Sequence, residues 1–279
     1  MHLLYNWHLI REEDLIIPYS NRAFQYNDGL FDTLVMEQGK IRFLTDHLAR
    51  IQQAMQVLQL ILPEPFRNAE ILAAYLTQLG EQNNLKNKLV RVKIHIWRAP
   101  GGLFTPEQNA AECLISAQAQ NPVAVVIAQA GFATTVQNNF SAVSFFKGPF
   151  ATKYVLASLE KKQRMLDELI LLDAQGHVSE ALVANVFWVK SQVIFTPALQ
   201  TGCIAGITRK NILRLAADQE IEVQEGFYAA TDLEAAEVVF TSNVTGLRPI
   251  AAMGSKKFML DHELITRLQA VLFPATNPS

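Results

Sequence analysis

With 279 residues, half of them apolar and 18% charged, the chain has the make-up of a globular protein with one large domain or two ordinary ones. A formal net charge of -2 and the lack of any lysine/arginine cluster exclude a basic nucleic-acid-binding surface. Two isolated cysteines, Cys113 and Cys203, form neither a disulfide framework nor a zinc site, and the six histidines lack metal-ligand spacing, so no metal is expected.

The opening residues, MHLLYNWHLIREED, have no basic region followed by a long apolar stretch, so no signal peptide is expected and the cytoplasm is the expected location. Leu44, Leu48, Ile51, Met55 and Leu58 step by four and three, the apolar face of a helix that Thr45 or Asp46 can cap. Val90, Val92, Ile94 and Ile96 alternate with Arg91, Lys93, His95 and Trp97, which predicts a strand with one apolar and one cationic face. Gly101-Gly102 marks a turn. Residues 113–119 and 123–130 read as strands parted by Asn121-Pro122. The uncharged stretch 114–146 is broken by Gln118, Gln120, Asn121 and Pro122, so no membrane span is expected. Further on, 169–172, 186–189, 194–196 and 238–241 read as strands. Helices are expected over about 208–219 and 258–272, and Thr231 with Glu234 has capping-box spacing. Strands and helices mix without a steady βαβ alternation, which favours α+β.

Several polar residues stand where chemistry is possible. Lys153 follows Gly148-Pro-Phe-Ala-Thr at a helix start, just before the run Leu156, Leu159, Gln163, Leu166. The helix dipole disfavours a cation there, and burial with that dipole would lower its pKa, as a nucleophilic amine needs. Glu180 is a single carboxylate in a mostly apolar stretch that runs to Asn185 and must be paired or exposed. Gly202 and Gly206 precede Ile207 and Thr208 at a helix start, where free N–H groups can bind a phosphate. Arg50 lies on the flank of the first long helix and can serve as a bidentate anion donor. Thr241-Ser242-Asn243 ends an apolar strand, a common place for groups that face a site.

The order of these pieces resembles the fold-type IV pyridoxal-phosphate enzymes, the class IV aminotransferases. That family includes branched-chain aminotransferases, D-amino-acid aminotransferases and aminodeoxychorismate lyases. Asn21-Arg-Ala-Phe-Gln-Tyr-Asn-Asp-Gly-Leu-Phe31-Asp32-Thr33 resembles R-x-F-x-Y-G-D-G-x-F-E-T, and His47-Leu-Ala-Arg50 resembles H-L-x-R. Glu180 through Asn185 resembles E-x-x-x-x-N, Gly206-Ile207-Thr208-Arg209 resembles G-[IV]-[TM]-R, and Thr241-Ser242-Asn243 with Gly246 resembles a phosphate-contacting strand end. The matching pieces run from near the N-terminus to about residue 250. Asn27 stands for the usual glycine, Asp32 for the more frequent glutamate and Ala184 for a common serine.

The resemblance implies a two-domain α+β fold, with a small N-terminal α/β domain over 1–118 and a larger barrel-like C-terminal domain over 119–279 that binds pyridoxal 5'-phosphate. It implies Lys153 as the Schiff-base lysine and Glu180 as the partner of the pyridine nitrogen. Arg50, Asn185, Ile207, Thr208, Ser242 and Asn243 complete the implied cofactor-binding set. Phe31, Arg91 and Arg98 are the expected substrate-binding residues, with Lys93 behind the arginines. A small amino-acid-like substrate and a homodimer are expected. The D-amino-acid branch usually carries tyrosine where Phe31 stands and histidine at Pro100, which ranks that reading lower, and a branched-chain-type or D-amino-acid aminotransferase is the alternative. The strand-end asparagine is closer to lyase-like members, so release of pyruvate and 4-aminobenzoate from 4-amino-4-deoxychorismate, a step of folate biosynthesis, is expected ahead of transamination.

Overall fold

The computed structural model describes residues 1–148 and 151–274. They divide into two compact units, Met1–Pro122 with 146–148, and Val123–Phe145 with 151–274. Among the described residues no helix is long and apolar enough to cross a membrane.

In the first unit, β1 (His2–Tyr5) and β2 (His8–Arg11) form a hairpin, followed by α1 (Arg22–Tyr26), β3 (Gly29–Glu37) and β4 (Lys40–Ile41). α2 (Leu44–Val57) and α3 (Ala69–Gln82) precede β5 (Val90–Arg98) and β6 (Ala111–Ala119). The strands form one antiparallel sheet in the order β2-β1-β6-β5-β3-β4. The predicted alternation in β5 is present: Val92, Ile94 and Ile96 are buried, Arg91 is exposed, and Lys93 and His95 are half-buried. Ile51 and Met55 of α2 and Leu72, Leu76 and Leu79 of α3 are completely buried. Each such side chain contributes about 1.5–3 kcal/mol of hydrophobic stabilisation. Neither Thr45 nor Asp46 caps α2. Phe43 holds the cap position in the left-handed region at φ 55° without a side-chain hydrogen bond.

The start of β3 is completed from far along the chain. The Phe31 N–H donates to the Lys147 carbonyl at 2.9 Å, and Asn27 Nδ2 donates to the Gly148 carbonyl at 3.0 Å. Gly148 has φ +144°, and a Cβ there would lie 2.9 Å from both the Gly29 carbonyl oxygen and Leu30 Cα, so only glycine permits this approach.

The second unit contains β7 (Ala130–Phe132), α4 (Ala151–Gln163), β8 (Glu168–Leu172), β9 (Val178–Ala181), β10 (Asn185–Lys190) and β11 (Val193–Pro197). α5 (Ile207–Asp218), β12 (Val223–Gly226), α6 (Ala230–Glu234), β13 (Val238–Asn243), β14 (Gly246–Ile250), β15 (Ala252–Met253), β16 (Lys256–Lys257) and α7 (Glu263–Leu272) follow. Two five-stranded sheets result, β12-β11-β10-β13-β14 and β16-β15-β7-β8-β9. They share a core that includes Ile170, Val178, Val186, Trp188, Val239 and Ile250. β8 alternates its faces: Ile170 enters that core, whereas Leu169 and Leu171 pack with Ala157 of α4.

Three local expectations are corrected, and α4 buries a face that its leucines do not mark. Residues 123–129 are not a strand, because Ile127 alone makes a bridge there, to Ile250, while Val125 is exposed. Leu156 and Leu159 of α4 face outward, and the helix instead buries Ala157 and Glu160. The box expected from Thr231 and Glu234 does not form: α6 starts at Ala230, and Asp232 accepts the Ala229 N–H at 2.9 Å. The last helix starts at Glu263 rather than 258, because Phe258 is held extended by its N–H bond to the Ala251 carbonyl.

Glu160 explains how α4 buries a carboxylate. Its oxygens accept the N–H and hydroxyl groups of Thr134 and Thr135 and a 2.6 Å bond from Arg164. Burial opposes ionisation, but the Thr135 hydroxyl, Arg164 and the two backbone N–H groups outweigh it and hold the carboxyl at about 2. The folded-state value lies below the unfolded one near 4.3, so the stabilisation is present above that pH and is lost as pH falls towards 2. Glu160→Gln is expected to cost about 2 kcal/mol in urea unfolding at neutral pH, with the difference from wild type vanishing across that acid window.

Candidate active site

α4 presents Lys153 in its first described turn, half-buried, while Pro149 and Phe150 lie outside the described residues. Burial lowers the Lys153 pKa below the ordinary lysine value, against the opposing effects of Glu180 and Cys203. Its Nζ lies 4.8 Å from the centre of the Tyr154 ring. Cys203 is itself buried, and its thiol is pushed up to about 12.

Glu180, on β9, is 2% exposed. Its Oε1 accepts Tyr154 Oη at 2.6 Å and Asn138 Nδ2 at 2.8 Å, and its Oε2 accepts the Ile204 N–H at 3.0 Å. Burial raises its pKa, against the pull of the Tyr154 hydroxyl, the Ile204 N–H, the Asn138 amide and Lys153. Three donors from separate segments converge on the two oxygens. An amide in place of the carboxylate would turn its own NH2 towards at least one of them, so the pocket is shaped for an anion.

Next to this group lies a cradle of unfilled donors. α5 begins at Ile207 and Thr208 after Gly206, which has no capping side chain. Its first N–H groups therefore have no acceptor within the helix. Asn185 and Ser242 pair across β10 and β13, and Asn185 Nδ2 donates to the Ile204 carbonyl at 2.7 Å. A Cβ at Gly206 would overlap Asn185 Oδ1, so a larger residue there would displace the Asn185 amide. The Thr208 hydroxyl donates to the Asn243 carbonyl at 2.8 Å, tying the helix start to the strand end. Asn243 Oδ1 accepts the Thr245 N–H at 2.9 Å, which shapes the turn. Ser242 Oγ is buried and has no hydrogen-bond partner among the described residues. An orphaned hydroxyl beside a helix start with no capping side chain fits a phosphate, and the buried Glu180 carboxyl, with three donors on its two oxygens, fits a ring nitrogen as its remaining partner. The residues present therefore suit pyridoxal phosphate.

Arg50 and the expected substrate residues belong to the first unit. Arg50 Nη2 is 2.6 Å from Asp32 Oδ1, and His47 Nδ1 is 3.2 Å from the same oxygen. Asp32 is fully buried. Burial works against its charge, but Arg50, His47 and Lys147 hold the carboxyl well below the usual range. Arg91 and Arg98 stand seven apart on β5 and so project to opposite faces. Arg91 shares its face with Lys93, His95 and Phe31. Lys93 Nζ lies 4.7 Å from the centre of the Phe31 ring, and the Phe31 and His95 rings are 5.9 Å apart. Burial and then the Lys93 charge lower His95 to about 4, so it is neutral at pH 7. Arg98 is 6% exposed and engages Asp28, Asn109 and the Leu58 carbonyl. Arg22 joins the same Asp28 at 2.8 Å.

Sequence reasoning missed Tyr154 and Asn138. Tyr154 is adjacent to Lys153, yet its partner is 26 positions away, and Asn138 sits in a polar run that reads as a loop.

The chain matches the family described as amino-transferase class IV over residues 29–253. It is 27% identical to an aminodeoxychorismate lyase of Vibrio harveyi over 266 residues, covering 92% of this chain and 95% of that protein. It is 26% identical to a D-alanine aminotransferase of Listeria monocytogenes over 250 residues, 88% of this chain and 84% of that one. Its fold is similar to the crystal structure of a branched-chain aminotransferase of Thermoproteus uzoniensis with norvaline. The TM-score is 0.87 at 21% identity, covering 98% of this chain and 94% of the other. The chain belongs to the class IV aminotransferase family.

Proposed function

We propose that the protein is a 4-amino-4-deoxychorismate lyase that releases pyruvate and leaves 4-aminobenzoate. The observation that carries this choice is the likeness to the Vibrio harveyi lyase along nearly the full length of both chains. The cofactor is pyridoxal 5'-phosphate, which supplies an electron sink for bond breaking next to the substrate amine. Lys153 holds the cofactor through its amine and then serves as the acid/base group. Its lowered pKa favours the neutral amine that can take a proton from the amine-bearing carbon. The same ammonium can return that proton to the departing enolpyruvate as the ring C–O bond breaks, so no oxidant is consumed. Glu180 keeps the ring nitrogen protonated. The Ile207 and Thr208 N–H groups, Ser242 and the Asn243 turn hold the phosphate, with Asn185 bracing the loop that precedes them.

Phe31 and Arg91 are the substrate-facing groups of the first unit, supported by their common sheet face with Lys93. Arg98, with its donors on Asp28, Asn109 and Leu58, braces the strand end that carries them. The active form is a homodimer in the cytoplasm. Exposed Tyr19, Phe24 and Phe104 of the first unit supply apolar surface for such an association.

Transamination is the second reading, favoured by the nearly equal identity to the D-alanine aminotransferase. The deciding experiment adds 4-amino-4-deoxychorismate to the purified holoenzyme and follows pyruvate and 4-aminobenzoate. Equal yields of the two support the lyase. No product, with 2-oxo acid formed from L-branched-chain or D-amino acids, overturns it in favour of transamination. Ser242→Ala is expected to weaken cofactor binding about tenfold in apoprotein titrations, because its hydroxyl is free for the phosphate. The apoprotein melting temperature should not change, since no internal bond is lost.

A further inference from the structure

Glu180 is clamped more tightly than a carboxylate with one ligand to bind requires. A carboxylate offers about four acceptor sites. Tyr154 and Asn138 occupy two on Oε1 and the Ile204 N–H occupies one on Oε2, which leaves a single site on Oε2. The clamp is itself anchored. Asn138 is fully buried, its amide also donates to Ser179 Oγ at 2.8 Å, and Ser179 donates to the Thr201 carbonyl at 3.0 Å. Its backbone N–H is fixed to the Leu172 carbonyl at 2.8 Å.

We propose that Tyr154 is a positioning residue that, with Asn138 and the Ile204 N–H, fixes Glu180 as an anion with its one remaining acceptor site kept for the cofactor ring nitrogen. This rests on the reading of Glu180 as the ring-nitrogen partner. In a buried pair, the proton between a carboxylate and a pyridine nitrogen can sit on either. A neutral pair is favoured by burial, since it removes two charges from a low dielectric. Each bond donated to Glu180 stabilises its charged form and moves the proton to the ring. Tyr154 makes the shortest of the three, at 2.6 Å. It keeps its own proton, because burial and then the Glu180 charge raise its pKa. One turn of α4 thus carries both the amine, Lys153, and the hydroxyl that governs the charge of its acidic counterpart.

The test is the 15N resonance of ring-labelled pyridoxal phosphate in the reconstituted enzyme, read through the neutral pH range beside kcat. Wild type is expected to show a protonated ring nitrogen. Tyr154→Phe is expected to move the resonance towards the unprotonated value and to lower kcat about tenfold, the loss of one bond to a charged group. Glu180→Gln is expected to lose the protonated signal. If Glu180→Gln keeps it, the reading of Glu180 fails and this inference fails with it. If Glu180→Gln loses it while Tyr154→Phe matches wild type in both resonance and kcat, only the role of Tyr154 is overturned. Should Tyr154→Phe not fold, 3-fluorotyrosine in place of Tyr154 decides. This more acidic donor is expected to hold the ring protonated to higher pH, and an unchanged resonance would overturn the proposal.

Discussion

Lys153→Ala is expected to lower turnover on the order of 10⁴-fold, since one residue supplies both the covalent anchor and the proton transfer. Borohydride reduction of the holoenzyme followed by peptide mass analysis should place the cofactor on the peptide that contains Lys153 in wild type and on no peptide of the variant. Cofactor trapped on another lysine would remove Lys153 from the reaction. The variant should still fold. Lys153 is half-buried with a lowered pKa, so its charge is a cost to the folded state, and the loss of its contact with the Tyr154 ring changes stability by no more than about 1 kcal/mol. Lost activity with an intact fold separates this residue from the packing of α4.

Asp32→Ala is expected to show the opposite pattern, a loss of stability that precedes any question of chemistry. Asp32 points to the helix-packed face of β3 between Leu30 and Leu34, and its carboxylate is the 2.6 Å partner of Arg50. Its removal leaves a buried guanidinium without that carboxylate, a change that costs about 3–5 kcal/mol. Guanidinium or thermal unfolding of the apoprotein measures it directly. The pH dependence has a definite sign. Because the folded-state pKa is depressed, the contribution of Asp32 is fully present above the ordinary aspartate value near 3.9 and declines as pH falls below it. The gap between wild type and Asp32→Ala should therefore be constant at neutral pH and narrow in acid. A variant as stable as wild type at pH 7 would show that the pair contributes nothing.

How much of this was legible in the sequence depended on range. The helix with Leu44 and Met55, the alternating strand from Val90 and the start of α5 after Gly206 follow from local periodicity and glycine placement, and the structure shows all three. The family followed from the order of motifs, none of which is specific alone. What failed locally did so for tertiary reasons. Leu156 and Leu159 recur at helical spacing, but the buried side of α4 is set by Ala157 and by Glu160 with its threonine partners. Residues 123–129 have strand composition but pair with β14 only through Ile127, too little to make a strand. The clamp on Glu180 was out of reach, because Asn138 and Tyr154 meet it from 42 and 26 positions away. The opposite orientation of Arg91 and Arg98, by contrast, needs only the two-residue period of a strand and the count between them.

The return of residues 146–148 to the start of β3 has a consequence for how the protein is made. Chain synthesis runs from the N-terminus, and the six strands of the first sheet are complete once Ala119 has emerged. Yet the Phe31 N–H has its partner only when Lys147 follows, after a stretch that belongs to the second unit. Until then the beginning of β3 is an open edge able to pair with another chain. The nascent first unit therefore stays unfinished on the ribosome while part of the second is translated. For the same reason, a fragment cut at Pro122 would carry that open edge permanently and should self-associate more readily than one extended through Gly148.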